Sequence, residues 1–258
     1  MLKLIFCEFR KMKRKKMFQA AFLTTFIMPL LYTLILKEWT LDDVMSISRE
    51  DNGFLVLIPL SVVVAASLFF EEHDYDTLKN LMCVPVSRGR LAAAKMFVLL
   101  IFDVGYELAG YAVSILMAVL TGVPLDDWAQ QLFLNFCTGI FLWAAVMPCL
   151  VLVVWFNKSY IISVIIAFAY GILGYIMHIN DAFLRVPLGL NVTTFLPVPM
   201  IFRWLYQYHS MEGAKESVLE FYNGFKPYFV STPVLAAILL AEAAVCMALL
   251  MHVYRKQD

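Results

Sequence analysis

Residues 69–95 read FFEEHDYDTLKNLMCVPVSRGRLAAAK and lie between two long apolar runs. Five of the six positions from Glu71 to Asp76 are acidic or histidine, and Pro85 and the bases Arg88, Arg90 and Lys95 follow. Residues this polar do not enter hydrocarbon without a partner, so the preceding apolar run must end there. Leu78, Leu81 and Met82 then share one helical face, with Asp76 at the N-cap. Val84 precedes Pro85 and is pushed out of the α region, which stops that helix. Ser87 is placed to cap the next helix, which carries Arg88, Arg90 and Lys95 into the following apolar run. The segment is a short helix on a proline hinge between two oily stretches, and its apolar face needs a partner.

Those oily stretches set the class. Of the 258 residues 62% are hydrophobic and 16% charged, with a mean hydropathy of +0.78. Soluble domains lie nearer about half apolar and about a quarter charged, so this composition excludes one and implies an integral membrane protein. A bilayer core about 30 Å thick needs roughly 20 apolar residues of helix. Six stretches fit: 17–36, 53–70, 91–120, 132–156, 160–180 and 233–254. Pro29, Pro59 and Pro148 interrupt three of them, where local bending is expected. The basic start is followed by an apolar run too long for a signal-peptide core, so the first run is expected to stay. Cys7, Cys83, Cys137, Cys149 and Cys246 avoid the loops assigned below to the outside, and no disulfide framework is expected.

Lys and Arg orient the spans. Six spans put both ends on one side. With the termini inside, 1–16, 71–95, Lys158 and the C-terminal end hold fourteen of these residues; the outer segments 37–52, 121–131 and 181–232 hold six. Both termini and the 71–95 segment are therefore expected in the cytoplasm. In the N-terminal stretch MLKLIFCEFRKMKRKK, Leu2, Ile5, Phe6 and Phe9 recur at helical spacing, with Lys3, Glu8 and Arg10 elsewhere on the wheel. This reads as an amphipathic helix along the inner membrane surface, with Lys11 to Lys16 anchored to anionic headgroups.

The pattern of an acidic start, Thr77-Leu78, an apolar pair, Pro85-Val-Ser-Arg88 and Lys95 opening the third span resembles the signature of ABC-2 type transporter permeases. The TLKN form, with this length and six spans, is similar to the bacitracin-resistance and lantibiotic-immunity branch. Asp76 departs from it, standing where relatives commonly carry glycine or asparagine. The resemblance implies one transmembrane domain over 1–258, with an elbow helix in 1–16, a coupling segment in 71–90 and short helices in the last extracytoplasmic loop. It implies a separate ATPase subunit docked on Glu71, Glu72, Thr77, Leu78, Leu81, Pro85, Ser87 and Arg88. It also implies a second permease chain, identical or not, with spans 1, 2 and 5 at the centre of the dimer. The chain has no G-x-x-x-x-G-K-[ST] motif, so ATP and magnesium are expected on the partner and no enzymatic activity or cofactor on this chain.

Three acids lie inside the spans. Asp103 and Glu107 are four residues apart on one face of span 3, and Glu242 is in the middle of span 6. They fit a transport path, a proton relay, or buried acids hydrogen-bonded to neighbouring hydroxyls. No metal-ligand spacing and no nucleophile with a base is present, and no nucleic-acid partner is expected. Ala237, Ala241, Ala244 and Ala248 in span 6 are spaced for close helix packing, expected within the chain. Residues 181–232 are too long for a structureless loop and read as one or two short interfacial or re-entrant helices. Pro197 and Pro199 break the first stretch, and Trp204, Tyr206 and Tyr208 suit the headgroup layer. His178 reads as an interfacial residue. The outer segments hold eleven acids against six bases, a sign that draws cationic molecules. The resulting expectation is the permease subunit of an exporter for an amphipathic peptide antibiotic. The rivals are a proton-coupled secondary transporter and a membrane sensor or immunity protein.

Overall fold

A chain crossing lipid must satisfy its backbone amides internally, and each apolar run does so as a helix. The structure, a computed structural model, describes residues 1–36, 39–74, 87–156, 160–211 and 214–256. Among the described residues six helical stretches are long and apolar enough to span a bilayer: Lys16–Ile35, Leu41–Phe69, Gly89–Thr121, Trp128–Trp155, Tyr160–His178 and Thr232–Tyr254. They are spans 1 to 6 below. The described residues contain no strand.

Burial separates centre from periphery. In spans 2 and 4, 72% of the apolar window is buried, against 44% in span 3, 22% in spans 1 and 6, and 17% in span 5. Spans 2 and 4 are therefore the axis on which the others pack. Gly139 allows span 4 to touch span 3 backbone to backbone: a Cβ there would stand 2.6 Å from the Val104 Cα.

Span 2 differs from its expected extent. The apolar window 53–70 is the later part of a helix that starts twelve residues earlier, at Leu41. It comprises α4 (Leu41–Ser48), a π-helical stretch Arg49–Leu57 and α5 (Ile58–Asp74). Thr40 opens it with a capping box: its Oγ1 accepts from Asp43 N at 3.2 Å, and Asp43 Oδ2 accepts from Thr40 N at 2.9 Å. A hydropathy window stops at Arg49–Asn52 because it counts these residues as solvated; here spans 1, 4 and 5 meet Arg49, Asp51 and Asn52, and His209 meets Glu50. The wide π turn ends just before Pro59, whose ring has no N–H to continue the ladder.

The N-terminal stretch folds as the helix α1 (Leu2–Lys13), and one side of it packs on the bundle. Glu8 and Met12 are buried, Ile5 and Phe9 pack on the core, and Leu2 and Phe6 face out. Glu8 is accommodated by Lys11, whose Nζ lies 2.6 Å away. Span 1 follows as α2 (Lys16–Leu23), a 3-10 turn (Thr24–Phe26) and α3 (Ile27–Ile35). Span 3 lies within α6 (Arg88–Thr121), span 4 is α7 (Trp128–Trp155), span 5 is α8 (Tyr160–His178) and span 6 lies within α12 (Thr232–Lys256).

Between spans 5 and 6, where one or two short helices were expected, there are three: α9 (Asp181–Leu184), α10 (Pro197–Leu205) and α11 (Glu216–Phe225). Pro197 and Pro199 do not break α10; they occupy its first turn, where a missing N–H costs nothing. Every residue of α10 is buried, packed against spans 4, 5 and 6. Trp204 is therefore no headgroup anchor. It is 0% exposed, edge-on to Phe141 at 4.9 Å, and its Nε1 donates to Thr232 Oγ1 at 2.9 Å. His178 is likewise buried, among Phe54, Tyr175 and Phe202. The alanines of span 6 are also not where small residues usually work. Ala237, Ala241, Ala244 and Ala248 are exposed, while Leu235, Leu239, Ala243 and Leu250 pack inward.

Candidate functional site

The π stretch of span 2 turns a row of polar side chains into the bundle. Arg49, 3% exposed, donates from Nη1 to Gln131 Oε1 of span 4. Gln131 Nε2 donates to Asp42 Oδ1 at 2.7 Å, and Asp42 Oδ2 accepts from the Ser210 amide at 2.8 Å. One chain of bonds thus runs from span 2 through span 4 to the segment after α10. Beside it, His209 Nε2 stands 3.4 Å from Glu50 Oε1. Burial pushes the His209 pKa down, as Arg49 does, while Asp42 and Asp43 push it up. Asp51 accepts from the Tyr32 hydroxyl and, at 3.0 Å, from the Tyr175 hydroxyl, joining spans 1, 2 and 5.

Deeper in the bundle lie the two acids of span 3. Asp103 accepts from the Ser61 hydroxyl through Oδ1, and its Oδ2 has no hydrogen-bond partner among the described residues. Glu107 reaches the backbone of span 2, because Gly53 has no side chain. A Cβ there would lie 3.3 Å from Glu107 Oε1 and 2.9 Å from Leu142 Cδ1. Glu107 and Arg49 line one small chamber with Ser48, Asn52, Ser114 and Asn135. Five atoms of that lining, Ser48 Oγ, Arg49 Nε, Asn52 Oδ1, Glu107 Oε1 and Ser114 Oγ, are buried without a protein partner among the described residues. Orphaned buried polar atoms are rare and costly. So dense a set around one chamber marks a place built to take water, a proton or a polar group. No group of His, Cys, Asp and Glu suited to a metal ion occurs among the described residues.

The third sequence acid stands apart. Glu242 does not join Asp103 and Glu107; it faces Pro148, Phe195 and its own helix neighbours. Of the coupling residues, Glu71 and Glu72 lie in the last turn of α5, and Arg88 opens α6. Ser87 is the N-cap of α6 through its backbone. Its carbonyl accepts from Arg90 N at 2.9 Å, but its side chain makes no capping bond. Thr77, Leu78, Leu81 and Pro85 lie outside the described residues.

Two lysines hold the end of span 2 ahead of that connector. Lys15 Nζ donates to the Ser67 carbonyl at 3.2 Å. Lys95 is fully buried, donates to the Leu68 carbonyl, and stands 5.0 Å from the Phe69 ring centre and 5.9 Å from that of Tyr254. The root of the connector is thereby fastened to the elbow, to span 3 and to the end of span 6. Lys95 carried a sequence signal as the base that opens span 3. Gln131 and Asn135 carried one too, as paired polar residues four apart in an apolar helix. Arg49 did not, since it reads as the end of a loop.

Comparison with known proteins agrees with this architecture. A family model described as ABC-2 family transporter protein matches residues 4–174, which contain the elbow, spans 1 to 4, the polar chamber and most of span 5. Over 125 residues the chain is 28% identical to the bacitracin transport permease protein BCRB of Bacillus licheniformis. That match covers 45% of this chain and 58% of the relative. On the extent of the family match, the chain belongs to the ABC-2 family of transporter proteins, as a multi-pass membrane permease without ATPase activity of its own.

Proposed function

We propose that this chain is the membrane subunit of an ATP-driven exporter that removes an amphipathic peptide antibiotic from the bilayer. A separate ATPase supplies the energy, binding ATP and magnesium, and docks on residues 71–90 from the cytoplasm, where both termini also lie. A second permease chain completes the path. The exposed apolar faces of spans 1 and 5, with Leu34 at 82% and Ile165 at 62% exposure, are open to that chain or to lipid.

The observation that carries this reading is the fastening of Ser67 and Leu68 by Lys15 and Lys95 at the root of the connector. A push on the connector reaches span 2 there and, along α5, the π stretch that holds Arg49 and Asp51. Those residues tie span 2 to spans 1, 4 and 5 and, through Gln131 and Asp42, to the segment after α10. A two-state movement of span 2 would open the buried polar chamber and release the outer segment together. Family membership and the similarity to a permease named for bacitracin support export and an antibiotic cargo.

Co-purification tests the docking. The wild-type chain is expected to retain its ATPase, and Leu78→Asp with Leu81→Asp to lose it. Retention by the double variant refutes the docking role. The unpartnered oxygens of Asp103 and Glu107 favour one other reading, a proton-coupled secondary transporter. It predicts transport that survives an ATPase-dead partner and follows the pH gradient.

A further inference from the structure

Glu242 stands near the middle of span 6, and its Oε1 is buried with no hydrogen-bond partner among the described residues. It lies in a groove of about 550 Å³ on the surface of the bundle, between span 4, span 6 and the turn Val192–Phe195. Apart from the Cys246 thiol the remaining walls are apolar: Pro148, Phe195, Ala237, Ile238, Ala241 and Val245. The volume suits a small-molecule site, about 300–1,000 Å³. Ala241 keeps the groove open beside the carboxylate.

We propose that this groove binds an amphipathic amine entering from the bilayer, its apolar body along Pro148, Phe195 and the alanines, its ammonium on Glu242. Charge complementarity decides the occupant. An acyl chain fills the walls and leaves the carboxylate unpaired. A water finds too few polar partners there to be held. Spans 5 and 6 of a second copy, Tyr160–His178 and Thr232–Tyr254, hold no Lys or Arg to pair with the carboxylate. An ammonium brings the opposite charge and three donors on an apolar stem. The site deepens the export reading, which it rests on for its role as the place where cargo is taken from the membrane. Binding itself needs no ATPase, so the two proposals fail in different experiments.

The test is equilibrium binding of radiolabelled dodecylamine to the full chain in phosphatidylcholine nanodiscs, with dodecanol as the uncharged twin. The amine is expected to bind saturably, and Glu242→Gln to weaken it by at least about tenfold. Ala241→Phe is expected to block binding with the carboxylate in place; Ala241 is exposed, so the ring displaces nothing in the bundle. The alcohol should bind weakly, and alike to wild type and Glu242→Gln. Elution profile and thermal melting of each variant report folding, and Ala241→Phe stands as the readout if Glu242→Gln does not fold. Unchanged amine affinity in either folded variant overturns the proposal. So does an alcohol that binds as tightly as the amine, the signature of acyl-chain filling. So does disulfide linkage of two Ala241→Cys chains, the signature of a second copy over the groove.

Discussion

Gly139 of span 4 meets Val104 of span 3 at backbone distance, with 2.6 Å between a Cβ placed on the glycine and the Val104 Cα. The obstacle is a helix axis, not the tip of a side chain. Gly139→Ala must therefore push spans 3 and 4 apart, and overpacking of this kind costs about 1–3 kcal/mol or more. Gly53→Ala meets Leu142 Cδ1 at 2.9 Å, a group that can rotate, and is expected to cost less. Denaturation of the two variants in detergent ranks them. A Gly139→Ala protein as stable as wild type contradicts the close crossing.

The Arg49–Glu107 chamber predicts a coupling. Arg49→Met removes a buried cation that donates to Gln131 and shares the chamber with Glu107. It leaves Gln131 Oε1 without its donor, and a buried polar atom stripped of its partner costs about 1–3 kcal/mol. Glu107→Gln alone removes the carboxylate that shares the chamber with the arginine. The double variant is expected to lose less stability than the two single losses added together. Strict additivity in the cycle says that the two groups do not interact.

The buried position of Trp204 predicts a stability role for a residue that sequence placed at the membrane surface. Trp204→Ala is expected to cost about 3–5 kcal/mol, losing the contact with Phe141 and the bond to Thr232. Trp204→Phe keeps the ring contact and gives up one neutral hydrogen bond, about 1 kcal/mol. Melting temperatures of the two variants check the order. An alanine variant that melts with wild type puts the indole outside the core.

His209 predicts an acid-sensitive contact. Its folded pKa is depressed by burial, so the unfolded chain takes up the proton first. The stability tied to the neutral ring is fully present above the unfolded pKa, about 6.5. It is lost as pH falls below that value toward the folded pKa. His209→Gln should flatten the part of the melting profile between about pH 7 and pH 5. An unchanged profile means that the ring does not titrate there.

How far the sequence reaches is seen residue by residue. The six helices were legible because apolar length is a property of composition, and the elbow because its periodicity is local. The short helices after span 5 were legible because so long a segment rarely lacks structure. The start of span 2 was not, since Arg49, Glu50, Asp51 and Asn52 read as solvent-facing until their partners elsewhere in the fold are known. The burial of Glu8 was hidden for the same reason: the wheel sets its place, but which side meets the bundle is a tertiary fact. The span 6 alanines show the reverse case, small residues that face outward from the bundle and leave room beside Glu242. Asp103 and Glu107 were found as acids out of place. That Glu107 shares a chamber with an arginine from a presumed loop could not be read from spacing.

Docking of an ATPase requires the connector after span 2 to lie on the cytoplasmic side. Cys83 lies within that connector. With Cys7, Cys137, Cys149 and Cys246 replaced by serine, a membrane-impermeant maleimide should label Cys83 only after cells are opened. Labelling of Cys83 in intact cells would contradict the account.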